Sequence, residues 1–120
     1  MTRFILFAAI SIAFANEPTT PGALWKAFNA DPSAFKEQNN GKKITILATI
    51  ADTYMSIYMT PVVSLVDKAG EESKVICVLP RSDSGKLSTY KNGEKVKMTG
   101  SFYSAHDEKI VIKQCQGEGK

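Results

Sequence analysis

The chain has 120 residues, with 15 Lys and Arg against 12 Asp and Glu and a formal net charge of +3. That length holds one domain with one hydrophobic core, and a charge this near balance selects no partner by electrostatics alone. Low-complexity tracts, long repeats and a linker between domains are absent from the sequence. The charge is unevenly spread: residues 16–73 carry five basic and seven acidic side chains, residues 74–120 nine and five.

Met1, Thr2 and Arg3 form a short positive start, residues 4–14 an uncharged apolar core, and Ala13 and Ala15 place small side chains where a signal peptidase reads them. The pattern predicts a signal peptide over residues 1–15. The apolar run falls short of the roughly 20 residues a membrane helix needs, and Asn16-Glu17-Pro18 ends it. No cysteine stands at the cleavage point, so a soluble periplasmic or secreted protein of net charge +2, with no membrane span after cleavage, is expected.

Residues 16–41 read as a helical lead-in packed on the domain that follows. Pro18, Pro21 and Gly22 suggest a flexible beginning. Leu24, Trp25 and Phe28 have helical spacing, and Asp31-Pro32 pairs a cap with a first-turn proline ahead of Phe35. Trp25 suits stacking on a ligand, but its apolar neighbours favour a seal on one end of the core. Residues 42–120 form the main domain. After the Asn39-Asn40-Gly41 turn, Ile44, Ile46, Ala48 and Ile50 alternate with Thr45, Leu47, Thr49 and Ala51 in a first strand. A second strand is expected over residues 58–66, with Pro61 marking an edge or bulge. Residues 68–72 turn the chain into a third strand over residues 75–79, an apolar run expected to be buried on both faces.

Ser82-Asp83-Ser84 supplies helix-start residues, Leu87 and Tyr90 share a helical face, and Asn92-Gly93 stops the element. From Glu94 the period becomes two. Val96, Met98, Gly100 and Phe102 face one way, and Lys95, Lys97, Thr99, Ser101 and Tyr103 the other. A polar link over residues 104–108 leads to a fifth strand, with Ile110 and Ile112 alternating with Lys109, Val111 and Lys113 up to Cys115.

Cys77 and Cys115 both lie in the exported part, are even in number, and form no C-x-x-C pair, so a disulfide between them is expected. The alternative is two free buried thiols. Closing such a loop is worth roughly 4 kcal/mol in the chain-entropy account. Strict alternation puts Cys115 on the face of Lys113, away from Ile112, which a bulge or a place at the barrel rim would resolve.

Five strands with a helix between the third and fourth is the order of an OB-fold barrel, an all-β architecture with minor helix, here with a helical N-terminal segment. The chain resembles the small exported OB-fold proteins of the tRNA-anti-like family. The resemblance rests on Trp25 and Asp31-Pro32, residues 44–51, Val75-Ile76-Cys77, Leu87 to Lys91-Asn92-Gly93, residues 96–100, and Ile110 to Cys115. These motifs imply a fold and no ligand.

No catalytic constellation is legible. His106 is the sole histidine and lies beside Asp107 and Glu108 in a polar turn, Arg81 is the sole arginine after residue 15, and no phosphate loop or nucleophile elbow occurs. No enzyme, metal site or cofactor is expected. A copper site built from Met55, Met59 and His106 would rest on thioethers and one imidazole from separate loops. The more informative segment is Tyr54-Met55-Ser56-Ile57-Tyr58-Met59, where a Tyr-Met pair recurs after four residues. Tyrosines offer rigid contact area with a polar tip and methionines adapt to varied partners, although barrel packing would also use them. In OB barrels the first and fourth inter-strand loops flank the open face. Placing those loops at residues 52–57 and 104–108 brings Tyr54, Met55, Tyr58 and Met59 toward Tyr103 and His106, with Lys95 and Lys97 as a charged margin. The expected function is a monomeric, exported, non-enzymatic binding module for an envelope protein, peptide or small ligand. Oligonucleotide or oligosaccharide binding is the alternative, and a structural part of an envelope assembly a third. Nucleic acid has the precedent of the fold, but one arginine and near-neutral charge oppose it.

Overall fold

The computed structural model describes residues 17–106 and 108–118. The expected signal peptide and Asp107 lie outside the described residues, and so does the His106 side chain. Two helices, α1 (Pro21–Ala30) and α2 (Pro32–Asn39), precede β1 (Lys43–Met55), β2 (Pro61–Val66), β3 (Val75–Val78), a 3-10 link (Arg81–Thr89), β4 (Lys95–His106) and β5 (Lys109–Gly117). The strands close into a barrel in the order β1-β2-β3-β5-β4, with β4 returning to β1. Every pairing is antiparallel except β3 with β5. This is the OB-fold barrel that the strand order predicts.

One strand serves two neighbours. The first half of β1 pairs β4 from Lys43↔Ser101 to Thr49↔Lys95, and the second half pairs β2 from Thr49↔Val66 to Met55↔Pro61. The register slips between Ile50 and Asp52, so Ala51 is the extra residue of a bulge that turns the strand from one sheet to the other. A second bulge settles the cysteine parity. The β4–β5 register shifts between Thr99 and Ser101, Gln114 takes a left-handed φ of 54°, and Cys115 thereby joins Ile110 and Ile112 inside. The Cys77–Cys115 disulfide forms within the core, its Cα atoms 5.7 Å apart.

The helical lead-in closes one barrel end. Thr20 and Asp31 cap the two helices by accepting from the Ala23 and Ala34 amides, and a proline opens each. Leu24, Phe28 and Phe35 are buried, with the Phe35 ring edge-on to Phe28 and Phe102 at 5.8 and 5.4 Å. Trp25 packs against this cluster, with Lys74 Nζ 5.5 Å from its ring centroid, as the sealing role requires. The beginning of the lead-in is anchored rather than flexible at Thr19. Its amide donates to the Thr45 carbonyl and its carbonyl accepts from Leu47, on the β1 edge that β2 leaves vacant by stopping opposite Thr49.

The other end is covered by the link between β3 and β4, which is a 3-10 helix with a kink at Asp83. Ser84, Ser88 and Thr89 each turn a hydroxyl back to the carbonyl three residues earlier, and Gly85 weakens the α-helix alternative. Tyr90 follows it, buried beside Gly117. Burial pushes its phenol pKa up, the Gly117 amide hydrogen bond opposes this, and the charges of Asp83 and Glu94 add to the rise. The strand expected to be buried on both faces alternates instead: Val75 and Cys77 point inward, Ile76 and Val78 are half-exposed. It is β2 that is buried throughout.

Candidate functional site

The second strand begins at Pro61 rather than Tyr58, so the first inter-strand loop comprises residues 56–60 and the segment before it belongs to β1. Ser56 organises this turn. Its amide donates to Thr60 O, its carbonyl accepts from Met59 N, and its hydroxyl oxygen accepts from the Tyr58 and Thr60 amides at 3.1 and 3.2 Å. The Ser56 and Thr60 hydroxyls also meet at 2.7 Å. Ile57, Tyr58 and Met59 are the resulting three-residue tip, and Met59 supplies the left-handed residue such a loop needs, at φ 62°. Arg81 ties the tip to the 3-10 link by donating from Nη2 to the Tyr58 carbonyl at 3.0 Å.

A rigid turn here holds apolar side chains in water. Ile57, Tyr58 and Met59 are 88%, 74% and 64% exposed, and Tyr54 and Met55 at the neck of the hairpin about 40%. No charged residue occurs from Thr53 to Val66. Among the described residues these five make up most of the large exposed hydrophobics; only Leu47 and Tyr103 lie elsewhere.

Strand parity locates the other candidates. On the outer surface, Tyr54 stands opposite Val62, which stands opposite Val78. One register step beyond Cys77↔Ile112 brings Val78 to Lys113. The Lys113 ammonium sits 3.7 Å from the centre of the exposed Tyr103 ring, at a second β4 slip between Phe102 and Ser104. Tyr54 and Tyr103 therefore both point outward, but from β1 and β4, with β2, β3 and β5 between them along this side of the closed barrel. Between them on that side lie the half-buried Ile76, Val78 and Val111, while Val62 on β2 is covered. His106 pairs its backbone with Lys109 at the far end of β4.

Lys95 and Lys97 are elsewhere. Opposite Thr49 and Leu47, they line a cleft of about 410 Å³ with Asp67, and Lys97 Nζ lies 3.4 Å from Glu118 Oε1. The structure thus separates three groups that parity and loop position had joined: the hairpin tip, the Tyr103 and Lys113 pair, and the two lysines of β4. Among the described residues no group of His, Cys, Asp and Glu is placed to hold a metal ion. Ile57 and Lys113 were not legible as site residues. Ile57 ends the loop expected over residues 52–57 but lacks the repeat that singles out the flanking Tyr-Met pairs, and Lys113 meets Tyr103 only through the β4–β5 register.

The tRNA_anti-like family model matches residues 6–116 of the chain. No curated protein matches it. Among solved structures, a lipoprotein of Klebsiella pneumoniae subsp. pneumoniae MGH 78578, whose nucleic acid-binding assignment is itself provisional, superposes with a TM-score of 0.70. The match covers 92% of this chain and 96% of that one at 14% identity, a likeness of fold.

Proposed function

The chain belongs to the tRNA_anti-like family, and from that premise we propose that it is an exported, non-enzymatic OB-fold binding module that grips a protein or peptide partner with the hairpin between β1 and β2. One observation carries this reading: a hydrogen-bonded turn holds Ile57, Tyr58 and Met59 in solvent on an uncharged hairpin. Apolar side chains exposed as a cluster on rigid backbone mark a contact surface, since folding alone favours polar residues there. Tyrosine and methionine suit it, giving large contact area at low ordering cost and adaptable packing. Export is supported by the disulfide, a feature of oxidising compartments.

The test uses the mature chain, from Asn16, as bait in envelope extract of the producing cell, with captured protein then titrated in purified form. Replacing Tyr54 and Tyr58 by alanine is expected to weaken binding by about 1 kcal/mol or more, roughly fivefold, with little dependence on salt. A folded double variant that binds as well as the parent overturns the reading.

The Tyr103 and Lys113 pair favours a second reading, an oligonucleotide stacked on that aromatic ring beside a cation. The solved relative's provisional assignment adds to it. This reading predicts steeply salt-dependent binding to single-stranded oligonucleotides that is lost in Tyr103→Ala and unaffected by Tyr58→Ala.

A further inference from the structure

We propose that the β1 edge beside the hairpin accepts an extended, uncharged peptide segment as an added β-strand; this rests on the binding-module reading and supplies the partner's chemistry. The backbone carries the argument. In an antiparallel ladder, alternate residues turn both their N–H and C=O toward one neighbour. Ser56 and Thr60 form a hydrogen-bonded pair and Pro61 gives its carbonyl to Leu79, so Tyr54 and Asp52 are the residues bonded to β2. Thr53 and Met55 consequently turn their backbone groups to the opposite edge.

That edge has lost its neighbour. Pairing with β4 ends at Thr49↔Lys95, followed by the bonds of Ile50 to Glu94 and Gly93. The Thr53 amide is taken by its own neighbour, Asp52 Oδ1, at 2.9 Å. The Met55 amide and the Thr53 and Met55 carbonyls remain on an open edge among the described residues. Natural sheets cover such edges or defend them with charge or proline, and from Thr53 to Met59 this hairpin uses neither.

A groove of about 460 Å³ runs along the same edge, between Thr53 and Met55 on one side and Ser84, Gly85, Leu87 and Ser88 of the 3-10 link on the other. A strand hydrogen-bonded to β1 would lie about 4.8 Å from it, with alternate side chains entering this groove. Every lining residue is uncharged, and the space above Gly85 is open, with no atom within 4 Å of where a Cβ would stand. The match is therefore an apolar side chain on an extended backbone. A free peptide strand brings only its own width to this edge, whereas a second copy would bring its own 3-10 link as well, and Met55 protection without peptide separates the two.

Backbone chemistry in the probe tests this without altering the protein. The probes are acetylated, amidated heptapeptides alternating threonine with valine, leucine or phenylalanine, titrated against the mature chain by fluorescence anisotropy. The expected result is saturable binding below millimolar concentration by at least one of them, with Met55 amide exchange slowed at least tenfold. N-methylation of alternate residues should weaken that peptide at least tenfold in one register and leave it unchanged in the other. Absence of binding by all three up to millimolar concentration overturns the proposal, as does equal tolerance of methylation in both registers. Concentration-dependent protection of Met55 without peptide replaces it with self-association. If the peptides fail while partner capture still depends on Tyr58, the edge proposal falls and the binding-module reading stands.

Discussion

Substituting Gly100 by alanine probes how the barrel accommodates its disulfide. Gly100 lies in β4 beside the β5 bulge, and a Cβ there would stand 2.7 Å from Ile112 Cγ2, 2.7 Å from the Lys113 carbonyl oxygen and 2.8 Å from Cys115 Sγ. Only the isoleucine methyl can swing aside; the carbonyl is backbone and the sulfur is held by Cys77. Overpacking of this kind costs about 1–3 kcal/mol, while loss of glycine's freedom in the unfolded chain returns about 0.4–1 kcal/mol. The net expectation is a destabilisation of roughly 1–2 kcal/mol, lowering Tm by about 5–15 °C in a domain of this size. Gly85→Ala is the matched control. It sits in the 3-10 link with open space around its Cα and no left-handed φ, so alanine there should leave stability unchanged or raise it by up to about 1 kcal/mol. Urea titration of the oxidised variants, followed by Trp25 fluorescence and circular dichroism, compares them. If Gly100→Ala comes within about 0.5 kcal/mol of the parent, or both glycines respond alike, close packing at the bulge is not what demands glycine at this position.

The native, non-reduced protein should present no alkylatable thiol, and the Cys77→Ala, Cys115→Ala double variant should lose about 4 kcal/mol, as expected for a loop of 38 residues; a loss under about 1 kcal/mol in urea titration contradicts that. Tyr90 should weaken the fold in alkali. Its phenol pKa is raised above 10.0 by burial, so above pH 10 the unfolded chain gives up this proton while the folded chain keeps it, and stability falls as pH rises. Comparison of urea midpoints between pH 8 and 11 should show a shallower decline for Tyr90→Phe than for the parent. Met59→Gly should be as stable as the parent or more so by up to about 1 kcal/mol, because glycine adopts the φ of 62° without strain, yet bind the partner at least fivefold more weakly; a destabilised variant of undiminished affinity would place Met59 in the fold rather than the contact.

Much of the barrel was written in local pattern. Alternation through Ile44, Ile46, Ala48 and Ile50, and again through Val96, Met98 and Phe102, names inward-facing residues because a strand's side chains change face at every step. Asp31-Pro32 announces a helix start, since it joins a capping carboxylate to a residue already restricted to helical φ. The disulfide followed from the cysteine count and the absence of a redox or metal spacing. What local pattern could not contain were the places where alternation breaks. The bulges at Ala51 and Gln114 and the slip at Tyr103 are properties of strand pairs, set by how each strand must bend to meet a neighbour distant in sequence. They carry Cys115 inward, put Tyr103 beneath Lys113 and leave Thr53 and Met55 on an open edge. Parity placed Lys95 and Lys97 on the outer surface of β4, but a closed barrel has outer surface on every side. Only closure, by seating those lysines across from Thr49 and Leu47, decided that they would stand apart from the hairpin.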